Sequence, residues 1–101
     1  MIHEIAELTI QPGTNAAFEA AVAQAVPLFQ RARGCVSMRL DRTFERPETY
    51  RLVIGWQTLE DHTVHFRGSE DFQAWRALVG SFFAEAPKVE HIETVVTGFG
   101  S

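Results

Sequence analysis

A chain of 101 residues, 46% of them hydrophobic, is long enough for one core and short enough that a second subunit would add much to its burial, so one domain is expected. Its net charge of -4 has no run of either sign behind it, which speaks against a nucleic-acid or membrane-surface partner. Cys35 stands alone, excluding an internal disulfide framework; with no leader-like opening and no apolar run of membrane-spanning length, a reducing, cytoplasmic setting is expected.

The opening IHEIAELTIQPG alternates as a strand. Glu4, Ala6, Leu8 and Ile10 share one face and His3, Ile5, Glu7 and Thr9 the other, until Pro12-Gly13 ends it. Thr14 or Asn15 is placed to cap a helix whose apolar residues Phe18, Ala21, Val22, Ala25, Leu28, Phe29 and Ala32 form one stripe, the pattern of a helix lying on a sheet. Pro27 removes a backbone donor within that stripe, so a kink or an early end is expected there, with Gly34 as the stop.

A second strand, CVSMRLDRTFE, places Val36, Met38, Leu40 and Phe44 on one side and Cys35, Ser37, Arg39 and Asp41 on the other; Glu45-Arg46-Pro47-Glu48 reads as a hairpin turn. The third strand, TYRLVIGWQ, directs Tyr50, Leu52, Ile54 and Trp56 to one face, with Gly55 leaving room for close packing on the other. Thr58 and Asp61 resemble a capping box opening a helix through Phe66; Gly68 breaks it and Ser69 caps a second piece carrying Phe72, Trp75, Leu78 and Val79. After Pro87, KVEHIETVVTGF alternates again as the last strand. The order βαββαβ in this length is an α+β, ferredoxin-like split βαβ, an antiparallel four-stranded sheet with both helices on one face. Apolar residues on the other face predict a homodimer packed sheet against sheet.

Gly13, Phe18, Gly34, Pro47, Tyr50, Trp56, His65, Ser69, Phe72, Trp75, Pro87, Val89 and His91, in this order over nearly the whole chain, resemble the antibiotic biosynthesis monooxygenase family of dimeric α+β barrels. That resemblance spans cofactor-free oxygenases of polyketide anthrones, quinol oxygenases, haem-degrading enzymes, isomerases of signalling sugars and domains without assigned activity, so it implies the fold more than the reaction. Ala6, Phe66 and Arg76 fall where the haem-degrading members have asparagine, tryptophan and the histidine ligand, which removes the usual donor to haem iron. Trp56 and Arg76 match the tryptophan and arginine of the anthrone oxygenases, whereas Leu52 and His62 stand at that subgroup's asparagine and tyrosine positions.

Oxygenating a phenol without metal or flavin requires a base, a cation for the anion that forms, and an aromatic wall. The expected parts are His62 as proton acceptor, Arg76 as anion stabiliser, Trp56 as wall and His65 in support at the pocket mouth, in a pocket made by Tyr50, Leu52, Phe66, Phe72 and Trp75. The expected function is cofactor-independent oxygenation of a small aromatic hydroquinone, anthrone or polycyclic phenol. No cofactor and no metal are expected: His62 and His65 are three apart, but no His-Glu-x-x-His signature surrounds them and a third ligand from His91 or His3 is conjecture.

Each residue also has a plainer reading. Trp56 would be an ordinary core aromatic and Arg76 an ion-pair partner of Glu70 or Asp71; His3 and His91 would be strand residues near the sheet surface and Cys35 a small buried strand residue. Glu60, Asp61, Glu70 and Asp71 suit the first turns of helices without any catalytic role. The alternatives are a non-catalytic small-molecule-binding or interaction domain, or an oxygen-independent isomerase. A pocket filled by its own aromatics would favour the former, and an open one lined by Arg76 and His62 would favour catalysis.

Overall fold

Alternation along the strands gives the sheet one buried face. In the computed structural model, which describes residues 1–100, β1 (Ile2–Thr9), α1 (Asn15–Gln30), β2 (Cys35–Arg42), β3 (Thr49–Trp56), a π-helix (Asp61–Phe66), α2 (Glu70–Val79) and β4 (Lys88–Ile92) follow in chain order. The strands form one sheet ordered β2-β3-β1-β4 with every neighbouring pair antiparallel, a ferredoxin-like α+β fold. Ala6, Leu8 and Ile10 meet Leu52, Ile54 and Trp56 on the face that α1 and α2 cover, and Phe18, Phe29, Phe66 and Trp75 fill the layer between. Phe29 is the hinge of that layer, its ring centroid 4.9 Å from Phe66 and 5.1 Å from Trp75.

Several local expectations change. The helix α1 runs through Pro27 to Gln30, because Pro27 lies on the exposed side and forfeits a single hydrogen bond. Neither candidate cap acts as one: Thr14 donates its hydroxyl back to the Gln11 carbonyl, and Asn15 donates its amide to the Pro47 carbonyl and the Tyr50 hydroxyl, both at 2.9 Å. Gly34 does stop the turn in the left-handed region, at φ 75°, and a Cβ there would overlap the Asp61 carboxylate.

A bulge between Cys35 and Ser37 shifts the phase of β2. Cys35 opposes Trp56 and packs with Met38 and Leu40 against the core, so it does not share the face of Ser37 as strict alternation would have it. Val36 and Ser37 both come against Gly55, where a Cβ would collide with the Ser37 hydroxyl. Phe44 lies beyond the end of the strand and is 96% exposed.

The last strand is shorter than its alternation, ending at Ile92 opposite His3. Its sole neighbour is β1, which begins at Ile2, so the residues after it have nothing left to pair with and Val95, Val96 and Phe99 are exposed. The open face of the sheet is mixed, not an apolar patch. A shallow concavity of about 530 Å³ there sets Ile5, Val53 and Ile92 among Glu7, Asp41, Glu90, Arg39, Arg51 and Lys88.

Candidate functional site

The helix after β3 winds wider than an α-helix. The Thr58 hydroxyl accepts from the Asp61 N–H at 3.1 Å to start it, and the Arg67 N–H reaches back five residues to the His62 carbonyl at 3.1 Å. In this winding residues four apart share a face, so His62 and Phe66 both point inward and are buried. His65, only three residues from His62, turns outward and is exposed. It lines no pocket mouth, and the pairing of His62 with His65 on one face does not form. Ser69 then caps α2 by accepting from the Phe72 N–H at 3.2 Å, as the sequence predicts.

What His62 meets is a carboxylate. Glu4 continues the buried face of β1 and is 6% exposed, with Trp56 Nε1–H donating to its Oε1 at 3.1 Å and His62 Nε2 at 3.2 Å from the same oxygen. On the other side of the imidazole, Nδ1 lies 2.8 Å from Nε2 of His91, the residue directly opposite Glu4 across the β1–β4 ladder. Trp56 also stacks on the His62 ring at 5.3 Å and 16°. One hydrogen assignment satisfies the whole chain: His91 Nε2–H donates to His62 Nδ1, and His62 Nε2–H donates to Glu4.

Glu4 and His62 sit at ion-pair distance without forming an ion pair. Burial is the main cause on both sides. It pushes the Glu4 carboxyl up to about 7 against the Trp56 hydrogen bond and the nearby Arg67 charge, and it pushes His62 down to about 4, helped by Arg67 and His91. A proton added to the pair therefore goes to Glu4. His91 is lowered too, by burial first and Arg67 second.

Beside this chain opens a cavity of about 360 Å³ between the sheet and α2. Glu4 and His62 contribute to its lining, apolar surface comes from Leu8, Leu52, Phe72 and Trp75, and Arg67 and Arg76 line it as well. Oε2 of Glu4 makes no hydrogen bond, and no fully buried side-chain oxygen among the described residues lacks a partner, so Oε2 keeps solvent contact through the cavity.

Five of the residues named from sequence thus come together here: His62, Arg76, Leu52, Phe72 and Trp75. Trp56 does not form the wall of the cavity; it is fully buried behind Glu4 and His62, held by its stacking and its N–H donation. Phe66 is buried against Phe29, Trp56 and Phe72. Tyr50 sits at the far end of β3, its hydroxyl donating to Glu19 at 2.6 Å. Arg76 is not an ion-pair partner of Glu70 or Asp71, since Asp71 takes a two-point contact from Arg31 at 2.7 and 2.8 Å. His62 has both ring nitrogens engaged, which leaves it no lone pair for a substrate proton.

Glu4, Arg67 and His91 were not among the residues expected at the site. Glu4 did carry a signal, being the one charged residue in the apolar phase of its strand. His91 is not at the sheet surface but on the helix-covered face, level with Glu4. No helix among the described residues is long and apolar enough to cross a membrane.

Residues 1–78 match the model of the antibiotic biosynthesis monooxygenase family. The chain belongs to that family. The matched span holds Glu4, Trp56, His62, Arg67 and Arg76 and stops short of β4, so His91 lies beyond the part that the family model describes. Among solved structures, a Bordetella bronchiseptica protein whose assignment as an antibiotic biosynthesis monooxygenase is itself provisional is 55% identical, with a TM-score of 0.92 over 94% of this chain and 97% of that one. A Caulobacter crescentus CB15 protein with the same provisional assignment is 25% identical, with a TM-score of 0.81 over 94% of this chain and 90% of that one. The uncharacterized protein YczJ of Bacillus subtilis is 40% identical over 95 residues, 94% of this chain and all of the relative. Membership in the antibiotic biosynthesis monooxygenase family gives this chain a monooxygenase-type fold.

Proposed function

We propose that this protein is a cofactor-independent monooxygenase of a small hydroxyaromatic compound, with Glu4 as the proton acceptor. The observation that carries the reading is a buried carboxylate with one free oxygen in the same open cavity as an arginine that has no carboxylate partner among the described residues. An acceptor titrating near 7 is matched to neutral pH, which the imidazole at about 4 is not. The cavity volume stands at the low end for small-molecule sites and favours one or two rings over a larger polycycle.

In the proposed reaction Glu4 Oε2 takes the phenolic proton, and the phenolate, held by Arg76, passes one electron to dioxygen. The superoxide and aryloxyl radicals combine at a ring carbon that carries hydrogen, forming a C–O bond and a peroxide anion that Glu4 reprotonates. Loss of that carbon's proton to Glu4 and cleavage of the O–O bond release hydroxide, which recovers the proton as water and leaves a quinone. The substrate supplies every electron, and phenol plus O₂ balances to quinone plus water. His62 holds Glu4 through Nε2–H and is itself held by His91 and Trp56, so these three position the acceptor.

The same reading includes a homodimer across the open face of the sheet, where three cationic and three anionic side chains surround an apolar centre in a self-complementary arrangement. Light scattering should give a dimer that Val53→Asp converts to monomer.

The test of the activity is oxygen uptake by chelator-treated protein on a panel of hydroquinones and hydroxyanthrones. Uptake above autoxidation that Arg76→Ala lowers by about a hundredfold supports the reading. Turnover that persists without oxygen would replace it by an isomerase, and no turnover by a binding domain.

A further inference from the structure

The cavity holds one cation more than the proposed chemistry uses. Of the nine lysines and arginines, Arg31, Arg33, Arg39, Arg42, Arg46 and Lys88 each lie within 4 Å of a carboxylate. Arg51, Arg67 and Arg76 have no such partner among the described residues. In a chain with 13 acidic residues and a net charge of -4, unpaired guanidiniums are a minority, yet two of these three line this one cavity. Arg76 has the phenolate to hold. Arg67 has nothing.

Arg67 follows the last turn of the π-helix, where a cation is favoured by the helix end wherever its side chain points, so its sequence position does not require it to face the cavity. From there its charge favours the ionised form of Glu4 and opposes protonation of both histidines beside it. Around it the wall is Leu8, Leu52, Phe72, Trp75, Phe83 and Val89, a surface for a ring.

We propose that the ligand of this cavity is a hydroxyaryl carboxylate, with its ring on the apolar wall, its phenol toward Glu4 and its carboxylate on Arg67. A guanidinium presents its N–H groups in a planar fork that fits a carboxylate with two parallel hydrogen bonds, and at a half-dry cavity mouth that pairing exceeds what it is worth in water. The phenol end of this assignment rests on the oxygenase reading, whereas the carboxylate end stands on Arg67 alone.

The test is binding under argon, followed by tryptophan fluorescence, of three probes: 2,5-dihydroxybenzoate, its methyl ester, and unsubstituted hydroquinone. The acid should bind at least tenfold more tightly than its ester, and the preference should shrink as salt rises. Arg67→Gln should bring acid and ester to the same affinity and leave hydroquinone binding unchanged, and Arg67→Lys should restore part of the preference. Equal affinity for acid and ester, a preference retained in Arg67→Gln, or no binding of the acid overturns the assignment. Binding without oxygen reports the carboxylate site even if turnover is absent. Rapid oxygen uptake from hydroquinone with no preference for the acid would sink this inference and leave the oxygenase standing.

Discussion

Two aromatic residues on the same face of β3 each donate a hydrogen bond to a glutamate, and the two ends of the strand turn that contact to different purposes. At one end Tyr50 donates to Glu19 at 2.6 Å, on an exposed carboxylate that also has Arg42 at 3.7 Å. At the other Trp56 donates to Glu4 at 3.1 Å, on a buried carboxylate whose second hydrogen-bond partner is the His62 imidazole. Glu19 lies in water beside a cation, and burial of the tyrosine raises its phenol, away from neutral-pH proton transfer. At Glu4 burial outweighs the Trp56 hydrogen bond and the Arg67 charge, and the carboxyl titrates near 7. The same hydrogen bond thus fastens an exposed carboxylate at one end and opposes the effect of burial on a carboxyl at the other.

The sharpest way to break the comparison is to remove the charge at the buried end alone. Glu4→Gln keeps the oxygen that Trp56 and His62 donate to but cannot accept a proton, so kcat should fall by about a hundredfold or more with KM little changed. Wild-type-like turnover would put the acceptor elsewhere. The same variant should be more stable than wild type at pH 8, by up to about 3 kcal/mol in denaturant titrations. The sign follows from the raised carboxyl. Below about 4.5 it is protonated folded or unfolded, whereas the folded protein loses stability as pH rises through about 7 and the buried group must ionise. His62, lowered to about 4, acts oppositely, since the folded state resists a proton that the unfolded chain takes from about 6.5 downward. In wild type the two offset each other between about 4.5 and 6.5; in Glu4→Gln only the His62 loss remains there, and the midpoint should drop as pH falls.

A smaller effect separates the fastener from the wall. Trp56→Phe keeps a ring against His62 and deletes the donor, so Glu4 should titrate about one to two units higher and the rising limb of the pH–rate profile should move with it. An unmoved profile would make Trp56 a packing residue only. Smallest of all, Tyr50→Phe at the exposed end should cost about 1 kcal/mol of stability and leave kcat/KM unchanged at every pH.

The fold was legible because it follows from alternation and punctuation: the strand faces of Ala6 to Ile10 and Leu52 to Trp56, the stripe of α1, and the break at Gly68 before the Ser69 cap are all local patterns. The site was legible only in its second half. His62, Leu52, Phe72, Trp75 and Arg76 lie within one continuous stretch, whereas Glu4 and His91 join them through the register of β1 with β4, a pairing between residues 87 positions apart that no local pattern specifies. Two further departures have the same origin in single residues. The bulge at Val36 reverses the side that Cys35 takes, and the winding of the π-helix separates His65 from His62, which three-residue spacing in an α-helix would have kept together.

That winding makes chain length itself a functional character. A π-helix accommodates, within one turn, more residues than an α-helix would, so excising one residue between His62 and Gly68 would let the segment relax to ordinary helix and swing His62 by about 100° relative to the residues that follow. Glu4 would then face whichever side chain took its place. Among relatives of this fold, the count of residues from the end of β3 to the glycine at position 68 should therefore report which side chain stands against the buried carboxylate, before any one residue is compared.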